Sequence, residues 1–244
     1  MILQLLVFIC LILETYNKNY HNIFLCILTL VLFMLPSIAN KKLKIQIPSI
    51  LESMIIIFIF SAQILGEIQN FYGIFSHWDT ILHTINGVIC AGIGFSMIDI
   101  LNKNDKIKFD LSSLFVALVA FCFSMTIGVT WEFFEFGMDC LFEKDMQKDR
   151  IVTKISSVKL NDSNKNTPAV IENIKSTIIY YEEKGKTNKI VIDDGYIDIG
   201  IIDTMKDLMV NFIGAFVFSV FGYLYIRNRD KYKIIENCII RKEC

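Results

Sequence analysis

The sequence predicts an all-α membrane protein with about six transmembrane helices and a small, partly β insertion outside the membrane between the last two. Of its 244 residues, 54% are hydrophobic, and the mean hydropathy of +0.50 is well above that of an ordinary soluble domain. The apolar residues form long runs and do not alternate with polar ones, which indicates helices. One long polar stretch, residues 143–202, interrupts these runs before the last of them.

Six apolar runs are candidate membrane spans, since about 20 apolar residues cross a bilayer as a helix. They lie at residues 1–14, 22–38, 47–66, 79–101, 111–142 and 203–226. The run 1–14 is short for a hydrocarbon core of about 30 Å, so its full crossing is left open. It has no basic region and no small-residue cleavage site before Glu14, so we expect a retained helix and not a removable signal peptide.

These runs divide the chain into four parts. Residues 1–142 carry the first five helices, residues 143–202 form the insertion, residues 203–226 form the sixth helix, and residues 227–244 form a basic tail. Inside the insertion, runs such as "TIIYY" and "NKIVIDDGYIDIG" are rich in β-branched and aromatic residues. Such runs are typical of strands.

The orientation in the plasma membrane is predicted from the positive charges. The loops 39–46 and 102–110 each carry three lysines, and the tail carries four basic residues soon after the last span. The loop 67–78 has no Lys or Arg. The positive-inside rule therefore places the two Lys-bearing loops and the C-terminus in the cytoplasm, and the insertion 143–202 outside.

Polar side chains gather at one predicted end of the last three helices. Antiparallel connectivity brings the start of the fourth span, the end of the fifth and the start of the sixth to the same side of the membrane. The polar residues at these three helix ends are Asp79, His83, Glu132, Glu135, Asp139, Asp203, Asp207 and Asn211. Spacings of three or four residues place each set on one face of its helix. Because carboxylates that face lipid are costly, we expect these side chains to face one another or a wet cavity.

Five of these carboxylates would repel one another if all were ionised beside a single imidazole, so the cluster predicts shared protons or a bound cation. Carboxylate, amide and imidazole ligands suit Mg²⁺, Mn²⁺ or Ca²⁺, with Zn²⁺ or Fe²⁺ less favoured. The predicted metal ligands are Glu132, Glu135, Asp203 and Asp207, and the predicted supporting residues are Asn211, Asp139 and Trp131. We expect Asp79 to complete the site and His83 to act as general acid or base, because imidazole titrates near neutral pH.

Simpler structural roles stay open for single members of this set. Asp79 or Asp203 could cap the amides at a helix start, and Asp139 could be a solvated charge at the headgroups. A lone His83 is more often a hydrogen-bonded helix contact than a ligand. Trp131 fits the aromatic belt at the membrane interface. Only the convergence of three helices argues for a site.

Four motifs in order, "HWDTILHTINGVICAGIGF", "WEFFEFGMD", "DMQKDRIVTKISSVKL" and "DTMKDLMVNFIGA", resemble the YjdF-like family of bacterial multipass membrane proteins. The resemblance covers about Glu67 to Tyr225 and implies the architecture without naming a reaction.

The arrangement is also similar to VanZ-like proteins, which are associated with glycopeptide resistance at the cell envelope. The matching positions are Asp79 with His83, Glu132, and Asp207 with Asn211 and Gly214. Glu135 departs from that pattern, in which an amide is more usual. This similarity is an analogy and does not define a function.

Three functions compete on this basis. The first is a metal-dependent enzyme that acts on a membrane lipid or lipid-linked substrate, with the metal polarising a phosphoryl or acyl oxygen or activating water. The second is a cation- or proton-coupled transporter, for which Ser96, Ser124 and Thr126 are the candidate polar residues deeper in the membrane. The third is a structural scaffold that presents the insertion to a partner. The net charge of −1 gives no reason to expect nucleic acid as a partner.

Overall fold

We describe the fold from a computed structural model, which defines residues 2–102, 111–162 and 166–242. The three lysines predicted to mark the 102–110 loop lie outside these described residues. Most of the described chain is helical. The α-helices are α1 (Ile2–Tyr16), α2 (Tyr20–Leu32), α3 (Leu35–Leu43), α4 (Ser49–Phe60), α5 (Phe71–Ile74), α6 (Trp78–Asn102), α7 (Ser113–Phe142) and α8 (Ile201–Arg227).

Among the described residues, five helical segments are long and apolar enough to cross a membrane, as expected of a multipass membrane protein. They are Tyr20–Leu43, which joins α2 and α3, Ser49–Ile68, which joins α4 and a π-helix, and the single helices α6, α7 and α8. The helix α1 has 15 residues, and at about 1.5 Å per residue it is shorter than the hydrocarbon core. Five of the six predicted spans are therefore found, and a full crossing by α1 stays a prediction.

The described chain divides into two compact units. The helical unit consists of Met1–Trp131 and Asp207–Cys244, and the insertion unit consists of Glu132–Lys206. The insertion unit spans more residues than the predicted insertion 143–202. It includes the last residues of α7 and the first residues of α8, because side chains of both helices form hydrogen bonds with the segment between them.

The predicted β structure is present as short antiparallel pairs. The strands are β1 (Ile45–Gln46), β2 (Ile151–Val152), β3 (Ile155–Ser157), β4 (Ala169–Ile171), β5 (Ser176–Glu183), β6 (Lys186–Asp193), β7 (Tyr196–Ile197) and β8 (Arg241–Lys242). They pair as β1 with β8, β2 with β7, β3 with β4, and β5 with β6. The β5–β6 hairpin turns at Lys184 and Gly185, both with positive φ (52° and 73°), as a two-residue hairpin turn requires.

The core of the helical unit is built around α6, which is the most buried of the five spans. Its residues Ala91 and Phe95 are buried together with Ala120 of α7 and with Ala215 and Phe218 of α8. The three alanines let helix backbones approach closely, which is the usual way that helices pack in membranes.

Two glycines mark the closest approach of α6 and α8. A Cβ atom added to Gly214 would lie 2.1 Å from the carbonyl oxygen of Thr84, and one added to Gly87 would lie 2.3 Å from that of Asn211. Both distances are far below van der Waals contact, so the two backbones meet where neither helix has a side chain. This close crossing of α6 and α8 lies next to the polar side chains of the candidate site.

The C-terminal segment packs against the helices, which the prediction of a simple basic tail at 227–244 did not anticipate. Ile235, Ile239 and Ile240 are buried, and the N–H group of Ile240 donates to the Oγ atom of buried Ser96 at 2.9 Å. The strand β8 pairs with β1, which forms the last two residues of the Lys-rich loop 39–46. The loop 39–46 and the C-terminus are therefore on the same side, as predicted, although which side that is stays a prediction.

Candidate functional site

The first part of the candidate site is a polar stripe along α6. Asp79, His83, Asn86 and Cys90 follow one another at spacings of four, three and four residues, so they share one face of the helix. The Oδ1 atom of Asp79 lies 3.5 Å from the Nε2 atom of His83, and the Cys90 thiol donates to the Oδ1 atom of Asn86 at 3.4 Å. His83 and Cys90 are buried, so this face points into the protein.

A matching stripe on α8 meets it. Asp207, Asn211 and Gly214 lie on one face of α8, and the first two are 1% and 0% exposed. The Nδ2 atom of Asn86 donates to the Oδ1 atom of Asn211 at 3.2 Å. This bond joins the two stripes one turn beyond His83 and Asp207.

The third helix, α7, closes around Asn211. The Nδ2 atom of Asn211 points to the carbonyl oxygen of Ser124 at 3.5 Å and to the Sδ atom of Met125 at 3.6 Å. The hydroxyl of Ser124 donates to the carbonyl oxygen of Gly87 at 2.8 Å. A Cβ atom at Gly128 would lie 2.7 Å from the Nδ2 atom of Asn211, so this glycine leaves room for the amide. Asn211 thus ties α6, α7 and α8 together.

The candidate metal centre is formed by Asp79, His83 and Asp207. One ligand atom from each residue lies within 4.8 Å of the other two. Two ligands on opposite sides of one cation, at bond lengths of about 2.0–2.6 Å, are roughly 4–5 Å apart, so the three atoms fit a single ion. His83 and Asp207 are buried, whereas 29% of the Asp79 side chain is exposed.

The structure brings together three of the predicted site residues in this group. Glu132, Glu135 and Asp203 are also buried, at 4%, 9% and 5% exposure, and they belong to the insertion unit. Their predicted role as metal ligands stays a prediction. Trp131 is 43% exposed, which fits its expected place at the membrane interface.

Asp203 has cationic and amide partners that the sequence does not predict. Its Oδ1 atom lies 3.3 Å from the guanidinium of Arg150, and its Oδ2 atom accepts the N–H group of Lys148 at 3.0 Å. Next to it, the Nε2 atom of Gln147 donates to the Thr204 hydroxyl at 2.5 Å. The prediction that these carboxylates have a single imidazole beside them is therefore wrong for Asp203, which pairs with Arg150.

Asp139 has a structural role at the end of α7. Its two carboxylate oxygens accept the N–H groups of Met146 at 2.6 Å and Gln147 at 2.9 Å. These bonds hold the chain that leaves the helix. The alternative that Asp139 is merely a solvated charge does not hold.

The residue that caps α8 is Asp198, not Asp203. The Asp198 carboxylate accepts the N–H groups of Arg150 at 2.7 Å and of Ile202 at 3.0 Å. Partial burial acts to raise the pKa of Asp198, but these backbone hydrogen bonds, with that of Gly200, outweigh it and hold the pKa below the usual value. At Asp149, burial and the carboxylates of Asp145, Asp198 and Asp139 raise the pKa instead.

The cap predicts a pH-dependent stability of the insertion unit. Because the folded pKa of Asp198 is lowered, its contribution is complete above the unfolded pKa of about 3.9 and is lost as the pH falls through the folded pKa. We expect Asp198→Asn to weaken the hydrogen bonds of the Arg150 and Ile202 amides by about 0.5–1 kcal/mol at pH 7, because the negative charge at the start of α8 is lost. The difference from wild type should shrink as the pH falls below about 3.9. Hydrogen exchange of both peptides measures this. The exposed Asp193→Asn is the control, and a difference that does not depend on pH would contradict the assignment.

Asn86 carries a sequence signal that would have added it to the predicted site. Asn86 is a polar residue in an apolar helix, three residues after His83, and its spacing alone places it on the same stripe. Arg150 carries no comparable signal, because its partners Asp203 and Asp198 are 53 and 48 residues away in the chain.

The family described as "Predicted membrane protein (DUF2238)" matches residues 1–228. No curated protein and no solved structure matches the chain. The matched range includes every residue of the candidate metal centre and ends before the C-terminal segment that packs on the helices.

Proposed function

Since this chain belongs to the DUF2238 family of predicted membrane proteins, which is the YjdF-like family that its motifs resemble, we propose that Asp79, His83 and Asp207 bind one divalent cation inside its helical unit. The observation that carries this proposal is the meeting of three ligand atoms from α6 and α8 within 4.8 Å. The VanZ-like similarity has no support in the comparisons and stays a prediction.

The donor set narrows the choice of cation. Two carboxylates supply hard oxygen ligands, which Mg²⁺, Ca²⁺ and Mn²⁺ prefer, whereas the imidazole suits Mn²⁺, Zn²⁺ or Fe²⁺ better than Ca²⁺. Mn²⁺ satisfies both preferences. Glu132 and Glu135 are proposed as further ligands only on the basis of their sequence positions.

We propose that the bound cation serves an enzyme that acts on a membrane lipid or a lipid-linked substrate of the cell envelope. A divalent cation supplies a Lewis acid for a phosphoryl or acyl oxygen and lowers the pKa of bound water. Asp79 is the most exposed of the three ligands, so a substrate group would approach from its side. A ring nitrogen of His83 lies within 4.8 Å of both carboxylates, so the proposal assigns His83 a ligand role in place of the predicted role as general acid or base.

The transporter is the weaker candidate. The three polar residues predicted to mark a route across the membrane donate to backbone carbonyls: Ser96 to Gly92, Ser124 to Gly87 and Thr126 to Cys122. Hydrogen bonds of this kind satisfy the hydroxyl within the protein and leave less reason for an ion to bind there.

The structural scaffold is supported by one contact, the 3.5 Å approach of His83 and Asp79, because a protonated His83 could hold the two aspartates without a metal.

The first experiment measures cation binding by the detergent-purified full chain. We expect about one Mn²⁺ per chain in the wild type and at least 10-fold weaker binding in Asp207→Asn and His83→Gln, since loss of even an outer partner costs about 10–100-fold. Asp230→Asn is the matched control, because its side chain is 96% exposed in the same unit. Equal metal content in Asp207→Asn and wild type, or no uptake of Mn²⁺, Mg²⁺ or Zn²⁺ by any protein, would refute the metal site and leave the scaffold.

A second experiment tests the reaction. Wild type loaded with its cation is incubated with phospholipids and polyprenyl phosphates, and the products are followed by mass spectrometry. We expect turnover that Asp207→Asn lacks and Asp230→Asn keeps. Inertness towards both substrate classes, with the cation bound, would refute the enzyme while the binding site stands. Cation flux into vesicles is then the measurement that would favour transport.

A further inference from the structure

A groove lined by aromatic and aliphatic side chains lies where α5 leads into α6. The aromatic groove, as we call it, is formed mainly by Phe71, Ile74, Phe75, Trp78 and Ile81 and encloses about 380 Å³. Ile74, Phe75 and Ile81 are 62%, 50% and 49% exposed, so its wall is open to the surroundings. Concave sites of about 300–1,000 Å³ with mostly apolar walls are typical of small-ligand sites.

The walls of the aromatic groove are held in place by specific contacts. The indole N–H group of Trp78 donates to the carbonyl oxygen of Ser61 at 3.3 Å, at the start of the π-helix Ser61–Ile68. The rings of Phe71 and Trp78 meet edge to face at 4.9 Å. On the other side of α5, the ring of Tyr72 fills the space that a side chain at Gly66 would need. The groove is therefore preformed.

The lining of the groove carries no Lys or Arg side chain that would recognise an anionic headgroup. The sequence has no Lys or Arg from Ile45 to Asn102, and the polar residues of the lining are Ser76 and His77, besides the indole N–H group of Trp78. An apolar, open cavity at the first turn of a membrane-spanning helix is in reach of lipid chains, and burial of such walls against hydrocarbon is favourable. Hydrocarbon, and not phosphate, is the chemistry that this lining fits.

We propose that the aromatic groove binds one acyl chain of a membrane phospholipid. At about 100° per residue along α6, Trp78 and Ile81 point to a different side of the helix from Asp79 and His83. The acyl-chain site is therefore separate from the cation site, and the two proposals stand or fall independently.

The chain contains two tryptophans, which permits a direct test. In Trp131→Phe, Trp78 is the only tryptophan, and its fluorescence in detergent is titrated with phosphatidylcholine brominated on one acyl chain. We expect saturable quenching that reaches a plateau at one lipid per protein and is reversed by unbrominated phosphatidylcholine. Quenching that rises linearly with the bromolipid fraction, without a plateau, would mean contact with bulk lipid only and would overturn the proposal.

Two variants make this test specific. In the Trp131→Phe background, Phe75→Ala removes one wall and is expected to raise the half-saturating lipid concentration at least fivefold. Phe115→Ala is the matched control, because Phe115 of α7 is a comparably exposed phenylalanine, at 46% against 50%, and is expected to leave the titration unchanged. Equal effects of both variants would contradict the site. The titration of Asp207→Asn, expected to equal that of the parent, separates a failure of the cation site from a failure of the groove.

Discussion

Replacing Gly214 by alanine is expected to destabilise the helical unit by about 3 kcal/mol, at the upper end of the cost of overpacking a core. The added Cβ atom would lie 2.1 Å from the carbonyl oxygen of Thr84. That oxygen belongs to the backbone of α6, so no rotamer change relieves the overlap and the helices must separate. The separation would also break the Asn86–Asn211 hydrogen bond, which is 3.2 Å long, and would weaken cation binding. We expect the apparent melting temperature in detergent to fall by roughly 6–12 °C.

Gly137 provides the matched control for this prediction. It lies in α7, and an added Cβ atom there would meet nothing within 4 Å. Since alanine is favoured over glycine in a helix by about 1 kcal/mol, Gly137→Ala is expected to be neutral or slightly stabilising. If Gly214→Ala were as stable as Gly137→Ala, the close crossing of α6 and α8 would be wrong.

The features that could be predicted from the sequence are those that depend on local periodicity. Long apolar runs predict the membrane helices, because lipid leaves a helix as the main way to satisfy backbone hydrogen bonds. The spacing of Asp79 from His83 and of Asp207 from Asn211 predicts two polar stripes, because four residues make about one helical turn. Antiparallel connectivity then predicts that these stripes meet, and in the helical unit they do, within 4.8 Å.

The features that could not be predicted depend on partners far apart in the chain. Asp203 is predicted as a metal ligand, but its nearest cation, Arg150, is brought to it by the fold of the insertion unit over 53 residues. From its sequence position near the end of α6, Asp99 is predicted to lie at the membrane interface. In the structure it is 3% exposed and lies 3.2 Å from Arg229, which is 130 residues away.

This ion pair is part of the packing of the C-terminal segment. Arg229 follows α8, and its guanidinium also lies 5.3 Å from the centre of the Tyr225 ring. The Tyr225 hydroxyl donates a hydrogen bond to the carboxylate of Glu236 at 3.2 Å, and the guanidinium of Arg241 forms an ion pair with that carboxylate at 3.3 Å. These contacts link the end of α8 to the segment that contains buried Ile239 and Ile240.

Replacing Arg229 by methionine is expected to cost about 2–3 kcal/mol, since it removes the cationic partner of a buried carboxylate; the cost is below that of a fully buried pair because the Arg229 side chain is 43% exposed. Adding Asp99→Asn should recover a large part of this loss, because the buried charge is then gone, and the double-mutant cycle measures the coupling. Arg227→Met is the matched control: Arg227 lies 5.6 Å from the centre of the Tyr223 ring, much as Arg229 does from that of Tyr225, and hydrogen-bonds the Tyr223 hydroxyl.

The measurements for this pair are the free energy of unfolding in mixed micelles and hydrogen exchange of the C-terminal peptide. If Arg229 holds the segment in place, Arg229→Met should accelerate exchange at the amide of Ile240, which donates to Ser96 at 2.9 Å, whereas Arg227→Met should not. Equal losses of stability in the two arginine variants would show that the stacking on tyrosine, and not the pairing with Asp99, supplies the energy. Unchanged exchange at Ile240 would show that the apolar packing of Ile235, Ile239 and Ile240 holds the segment without the ion pair.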